Sequence, residues 1–200
     1  MSLQKFLICI ILIGSFIGCG EQLELIDGFP PPSLTEEKQK YSLEDLEINT
    51  PGGLDGMRYE FDFARFHNKP VLINFTGFNC VNCRKMEQNV WLSEEVFPIL
   101  RDELIIFSLY VDDRDVVRIV DDNNEVLYVE PIGETWINYQ KERYNRASQP
   151  LYDIVNFDNE SLVKSVATYS THGTPEAFKV WLLEGLGEFK KQNPTETAEY

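Results

Sequence analysis

Two cysteines separated by two residues, Cys80-Val81-Asn82-Cys83, carry the most evident chemistry of this chain. One helical turn brings positions i and i+3 side by side, so a pair at this spacing can close into a disulfide and reopen. Val71 to Phe75 is a mostly apolar run that reads as a strand, Thr76 to Asn79 is a short break, and Arg84 to Gln88 holds good helix formers. The dithiol therefore opens a helix. Unpaired backbone N–H groups and the helix dipole favour negative charge there and lower the pKa of a thiol. Cys80 is the candidate nucleophile and Cys83, one turn deeper, the candidate resolving thiol. Arg84 and Lys85 follow at once; they are either a further electrostatic aid to a thiolate or ordinary surface cations.

The chain that carries this pair has 200 residues, 43% of them hydrophobic and 12% aromatic, which predicts one packed core and excludes wholesale disorder. A formal net charge of -15 with no local basic patch argues against gripping nucleic-acid phosphates or anionic lipid headgroups. Lys5 followed by the unbroken apolar run Phe6 to Ile13 reads as an export signal, too short to span a bilayer comfortably. Phe16-Ile17-Gly18-Cys19 resembles the lipobox of bacterial lipoproteins, which implies that Cys19 is acylated and becomes the new N-terminus; leucine is usual where Phe16 stands. Cys9 leaves with the signal, so Cys80 and Cys83 remain as the only thiols of the four cysteines. This places the body of the protein outside the cytoplasm, facing the periplasm and held to a bacterial membrane by lipid.

The expected organisation is a signal over 1–18, an acidic Pro/Gly-containing tether over 19–56, a folded domain over 57–192 and a polar tail over 193–200. In the tether, acidic residues far outnumber Lys38 and Lys40, and Pro30, Pro31, Pro32 and Pro51 stiffen it. Within the domain, Tyr59 to His67 reads as a helix, Ser93-Glu94-Glu95 as a helix start cut short by Pro98, and Leu104 to Val111 as a strand at the sheet centre. Asp112 to Arg146 is a polar excursion holding a short strand at Val126 to Val129 and a helix over Glu134 to Tyr144. Leu151 to Val155 and Leu162 to Thr168 read as a hairpin around Asp158-Asn159, and Thr174-Pro175 opens a final helix through about Lys190.

This order resembles the thioredoxin superfamily, most closely the C-terminal thioredoxin-like domain of DsbD-type thiol:disulfide interchange proteins. The resemblance is carried by Lys69-Pro70-Val71-Leu72-Ile73-Asn74-Phe75-Thr76-Gly77, by Cys80 to Glu87, and by Gln149-Pro150-Leu151-Tyr152. It implies an α/β fold with a central mixed sheet flanked by helices and an insertion before the cis-proline strand. It implies a cis Pro150 beside the dithiol, with Gln149 pairing by backbone with a substrate, in preference to Pro175 at its helix start. It also implies clients that are disulfide-bonded proteins, a transmembrane thiol electron donor to keep the pair reduced, and no cofactor. Two departures stand out. Asn79, with Phe78 before it, takes the place of the usual aromatic residue ahead of the first cysteine, so these two residues form the expected substrate-facing surface. Asn74 takes the place of a buried acid that helps deprotonate the resolving thiol, and an amide cannot accept that proton. Glu87, one turn beyond Cys83, is either a substitute or a solvent-facing helix residue.

Two other readings stay open. Cys80 and Cys83 could ligate copper or zinc with His67 or His172, although no ligand spacing supports it. Alternatively the pair is a static disulfide of a structural lipoprotein, although so small a loop constrains the unfolded chain little.

Overall fold

The computed structural model describes residues 40–120, 123 and 125–194. The signal over 1–18, Cys19, the tether up to residue 39 and the tail from 195 lie outside the described residues. The elements in chain order are β1 (Ile48–Asn49), α1 (Leu54–His67), β2 (Val71–Thr76), α2 (Val81–Met86) continuing as a π-helical turn (Glu87–Trp91), α3 (Phe97–Glu103) and β3 (Ile105–Tyr110). They continue as β4 (Val116–Val120), β5 (Val126–Pro131), α4 (Ile132–Tyr144), β6 (Leu151–Val155), β7 (Ala167–Thr168), α5 (Tyr169–His172) and α6 (Pro175–Gln192).

Five strands form one sheet in the order β1-β3-β2-β6-β7. β1, β3 and β2 run parallel, while β6 and β7 are antiparallel to their neighbours. All six residues of β2 are buried, as a strand covered on both faces must be. On one face Leu72 and Ile106 meet Met86, Trp91, Leu100 and Phe178 from α2, the π turn, α3 and α6. On the other, Ile73, Phe75 and Phe107 meet Met57 and Ala64 of α1 and Trp136 of α4. The fold is thus the expected mixed sheet between helices. β2 rather than β3 takes the centre, because β1 pairs along the far edge of β3.

The domain begins earlier than Met57. Tyr41 stacks on Phe97 with ring centroids 4.2 Å apart, Leu46 is 7% exposed, and Ile48 and Asn49 pair with Ile106 and Phe107. Residues 40–56 are therefore part of the fold and not spacer; regularly placed apolar residues among the acids anchor them. α1 starts five residues ahead of Tyr59, after Gly53, whose φ of 95° suits glycine. Pro98 lies in the first turn of α3, where its missing N–H has no helical partner to lose, so it helps open that helix and does not cut it short. Only Ala167–Thr168 of the expected Leu162–Thr168 strand pairs regularly with β6; ahead of it Leu162 N–H reaches Ile154 O at 2.7 Å and Ser161 forms an isolated bridge with Val155.

The excursion between β3 and α4 is a separate two-stranded sheet of β4 and β5. Its return into α4 is tight: Gly133 N–H donates to Asp113 O at 3.1 Å, and a Cβ at 133 would lie 2.6 Å from Val111 O. Backbone cannot yield as a side-chain tip does. Gly133→Ala is expected to cost about 2 to 3 kcal/mol by equilibrium denaturation; an unchanged midpoint would show that α4 is not held there.

Candidate active site

β2 ends at Thr76, and the chain turns through Gly77, Phe78 and Asn79 into Cys80. Asp112, just past β3, holds this turn. Its carboxylate accepts the Phe78 N–H at 2.8 Å and the Asn79 N–H at 3.2 Å. Gly77 lets it approach, since a Cβ there would sit 3.2 Å from both carboxylate oxygens. Sequence reading missed Asp112; the usable signal was an acid two residues after the strand that pairs Tyr110 with Thr76. The Phe78 ring stacks on Tyr110 at 4.2 Å and yet remains 59% exposed, so it forms an apolar ledge beside the cysteines, with Asn79 exposed next to it.

Cys80 caps α2, and its Sγ accepts the Cys83 N–H at 3.2 Å. In the reduced form the same N–H would stabilise a thiolate at Cys80. The two cysteines are joined in a disulfide with their Cα atoms 5.2 Å apart. They differ in access: Cys80 is half-buried, whereas Cys83 is 1% exposed. Arg84 does not reach toward solvent as a spare cation. Its guanidinium bonds Glu87 at 2.9 Å and donates to Thr76 Oγ1 at 3.3 Å.

Glu87 is the main correction to the sequence reading at this site. It is 7% exposed and does not face solvent. Its N–H bonds the Cys83 carbonyl, so it lies one helical turn past the buried cysteine on the same face of the helix. Burial pushes its carboxyl up to about 7, and the Arg84 guanidinium pulls only weakly the other way. The usable sequence signal was periodicity, for Cys83, Met86, Glu87, Val90 and Trp91 recur at the spacing of one buried helix stripe. Asn74 is also buried; it donates from Nδ2 to Ser108 Oγ at 3.1 Å, while its Oδ1 has no hydrogen-bond partner among the described residues. Tyr152, paired across the sheet with Asn74, has its hydroxyl pushed well up by burial and then by the charge of Glu87.

The Gln149–Pro150 peptide bond is cis. Pro150 and Asn82, the latter lying between the two cysteines in sequence, line one cleft of about 300 Å³. Gln140, fully buried in α4, holds this loop from behind, donating to Ser148 O at 2.9 Å and accepting from Gln149 Nε2 at 3.1 Å. Buried Asp153 pins the start of the same loop, taking a hydrogen bond from Tyr144 at 2.9 Å and from Ser161 at 2.6 Å. Pro175 is in the first turn of α6 behind the Thr174 cap and forms no part of this cleft.

The structure does not bring the histidines to the cysteines as a ligand set. His67 ends α1, ahead of β2, and Cys80 follows β2, a six-residue strand that spans roughly 20 Å. His172 packs its ring on Trp181. Among the described residues no three His, Cys, Asp or Glu side chains are placed to hold a metal ion.

Residues 59–128 match a family model described as thioredoxin-like. No curated protein matches the sequence. Among solved structures the chain is similar to a DsbH oxidoreductase, at 15% identity and a TM-score of 0.45 over 76% of this chain and 94% of that one. It is similar to oxidised thioredoxin O1 from Arabidopsis thaliana, at 11% identity and a TM-score of 0.34 over 61% of this chain and 85% of that one. It is similar to a thioredoxin-fold protein from Helicobacter pylori, at 14% identity and a TM-score of 0.38 over 78% and 97%. The family match, the order β1-β3-β2-β6-β7 and a helix opened by a Cys80–Cys83 disulfide at the end of the central strand together make this a thioredoxin-like fold.

Proposed function

We propose that this chain is a thiol:disulfide oxidoreductase that works through Cys80 and Cys83. The observation that carries the reading is the asymmetry of the pair: a partly exposed sulfur on the residue that caps a helix, backed by a buried one a turn away. In the reducing direction the Cys80 thiolate attacks one sulfur of a client disulfide. A Cys80–client disulfide forms, and the client's other cysteine leaves as a thiolate. Cys83 then gives up its proton and attacks the Cys80 sulfur, which re-forms the Cys80–Cys83 disulfide and releases the second client thiolate. Two electrons pass from the pair to the client, and solvent protonates the thiolates released. Glu87, poised near neutral pH one turn away, accepts the Cys83 proton in place of the acid that Asn74 lacks.

The finer reading is a lipid-anchored, extracytoplasmic reductase fed by a transmembrane thiol transporter. It is supported by the Phe16–Cys19 lipobox, by the DsbD-like sequence pattern, and by the need of any reductase in an oxidising compartment for a membrane electron source. Among the described residues no helix is long and apolar enough to cross a membrane. The test is a redox titration of the purified protein in dithiothreitol buffers, read by thiol alkylation and mass. A reversible two-electron transition is expected, and a disulfide that dithiothreitol never opens would favour a static bridge. Alkylation in growing cells sets the direction: a mostly reduced pair supports the reductase, a mostly oxidised pair overturns it.

A further inference from the structure

We infer that the cleft beside the redox pair selects client segments that carry a carboxylate side chain close to the reactive cysteine, with Arg146 as its counter-charge. The inference rests on the oxidoreductase reading and names the class of substrate that this site prefers. The cleft is formed by Asn82 of α2, the loop from Arg146 to Pro150, and Thr168 to Thr171 at the start of α5. Every residue that lines it is neutral except Arg146, and no acid contributes, although the chain as a whole has a net charge of -15. This is an acid-free pocket on an acidic protein.

Arg146 is exposed and forms no ion pair or hydrogen bond among the described residues. Arg84 and Arg143 nearby in sequence to the two walls are both engaged, with Glu87 and Asp153. An unpaired guanidinium presents a planar fork of donors that matches a carboxylate. The wall opposite is rich in hydroxyls: Thr168 Oγ1 lies 3.0 Å from Ser170 Oγ and 2.9 Å from Thr171 Oγ1; the two threonine hydroxyls are taken up by bonds within the turn, and Ser170 retains capacity toward a ligand. At long range the negative charge of the protein repels acidic clients, but this is screened beyond about 8 Å at physiological salt. Contact in the cleft decides the preference. Asn82, which lies between the two cysteines in sequence, lines the cleft together with Pro150, so the cleft is next to the redox pair and in reach of residues that flank a client sulfur at Cys80.

The test uses the reduced full-length protein and three peptides, each closed by one disulfide and differing only in Asp, Asn or Lys two residues from the attacked cysteine. Single-turnover oxidation of the protein is followed with each peptide and with oxidised dithiothreitol. The expected order is Asp, then Asn, then Lys, with about a tenfold spread from first to last at low salt, shrinking as salt rises. Arg146→Gln should flatten the order, and Arg146→Glu should invert it. Equal rates on the three peptides, or an order that Arg146→Glu leaves in place, overturn the inference while the oxidoreductase reading stands. Failure to react with oxidised dithiothreitol and with every peptide removes both.

Discussion

Replacing Cys80 with Ser is expected to abolish disulfide exchange, a loss of about 10³-fold or more, because it removes the attacking sulfur and leaves Cys83 buried at 1% exposure. Cys83→Ser is expected to behave differently. Attack by Cys80 survives and resolution does not, so the protein should accumulate as covalent adducts with the disulfides it attacks. Intact mass and non-reducing gels from cells expressing each variant separate the two cases. The pairing is informative because both substitutions delete the same disulfide, so its loss alone cannot account for a difference between them. Adducts with Cys83→Ser and none with Cys80→Ser assign nucleophile and resolver. Adducts with both, or with neither, would mean that exposure does not set the roles.

Glu87→Gln should change both the pH profile of resolution and the pH dependence of stability. The native carboxyl is held up to about 7, against 4.5 for an unperturbed glutamate. Between those values the native state binds more protons than the unfolded chain, so stability falls as pH rises through this window. Below it both states are protonated and nothing is lost; above about pH 7 the full cost is present, on the order of 3 kcal/mol. Glutamine removes this slope while keeping an acceptor for Arg84. Urea midpoints measured at pH 5 and pH 8 should therefore draw together in the variant, with the larger gain at pH 8.

The kinetic consequence is separable from the structural one. In the wild type, resolution of a Cys80 mixed disulfide should quicken as Glu87 ionises near pH 7. In Glu87→Gln the rise should move toward the ordinary thiol range near pH 8.5, with a loss of about tenfold or more at pH 7. A purely structural glutamate would alter stability and leave the midpoint of the resolution profile in place. That result would remove Glu87 from the proton path.

What was legible in the sequence follows from how local each signal is. Val71 to Phe75 announces a strand covered on both faces by being apolar throughout, and Thr174-Pro175 announces a helix start by capping chemistry that needs no distant partner. Residues 40–56 read as tether because of the acids Glu44, Asp45, Glu47 and Asp55, the Pro51-Gly52-Gly53 break, and their continuity with the proline-rich stretch before them. What overrides composition there is pairing of Ile48 and Asn49 with β3, some sixty residues away, which no local window contains. β4 escaped although its partner β5 follows within a few residues, because its other neighbour, Gly53 beside Val117, lies more than sixty residues back.

The amino-acid sequence by itself determined the chemistry available to this protein: a two-sulfur pair at one-turn spacing after an apolar strand, a proline before another, and an amide, which takes no proton, at Asn74. Only the tertiary structure decided which sulfur is open, that Asp112 and Gln140 hold the loops on either side, that Glu87 is buried, and that Arg146 faces an acid-free cleft. The physical reason is that residue type and spacing are properties of the chain, whereas desolvation and charge environment are properties of whatever the rest of the fold packs against it.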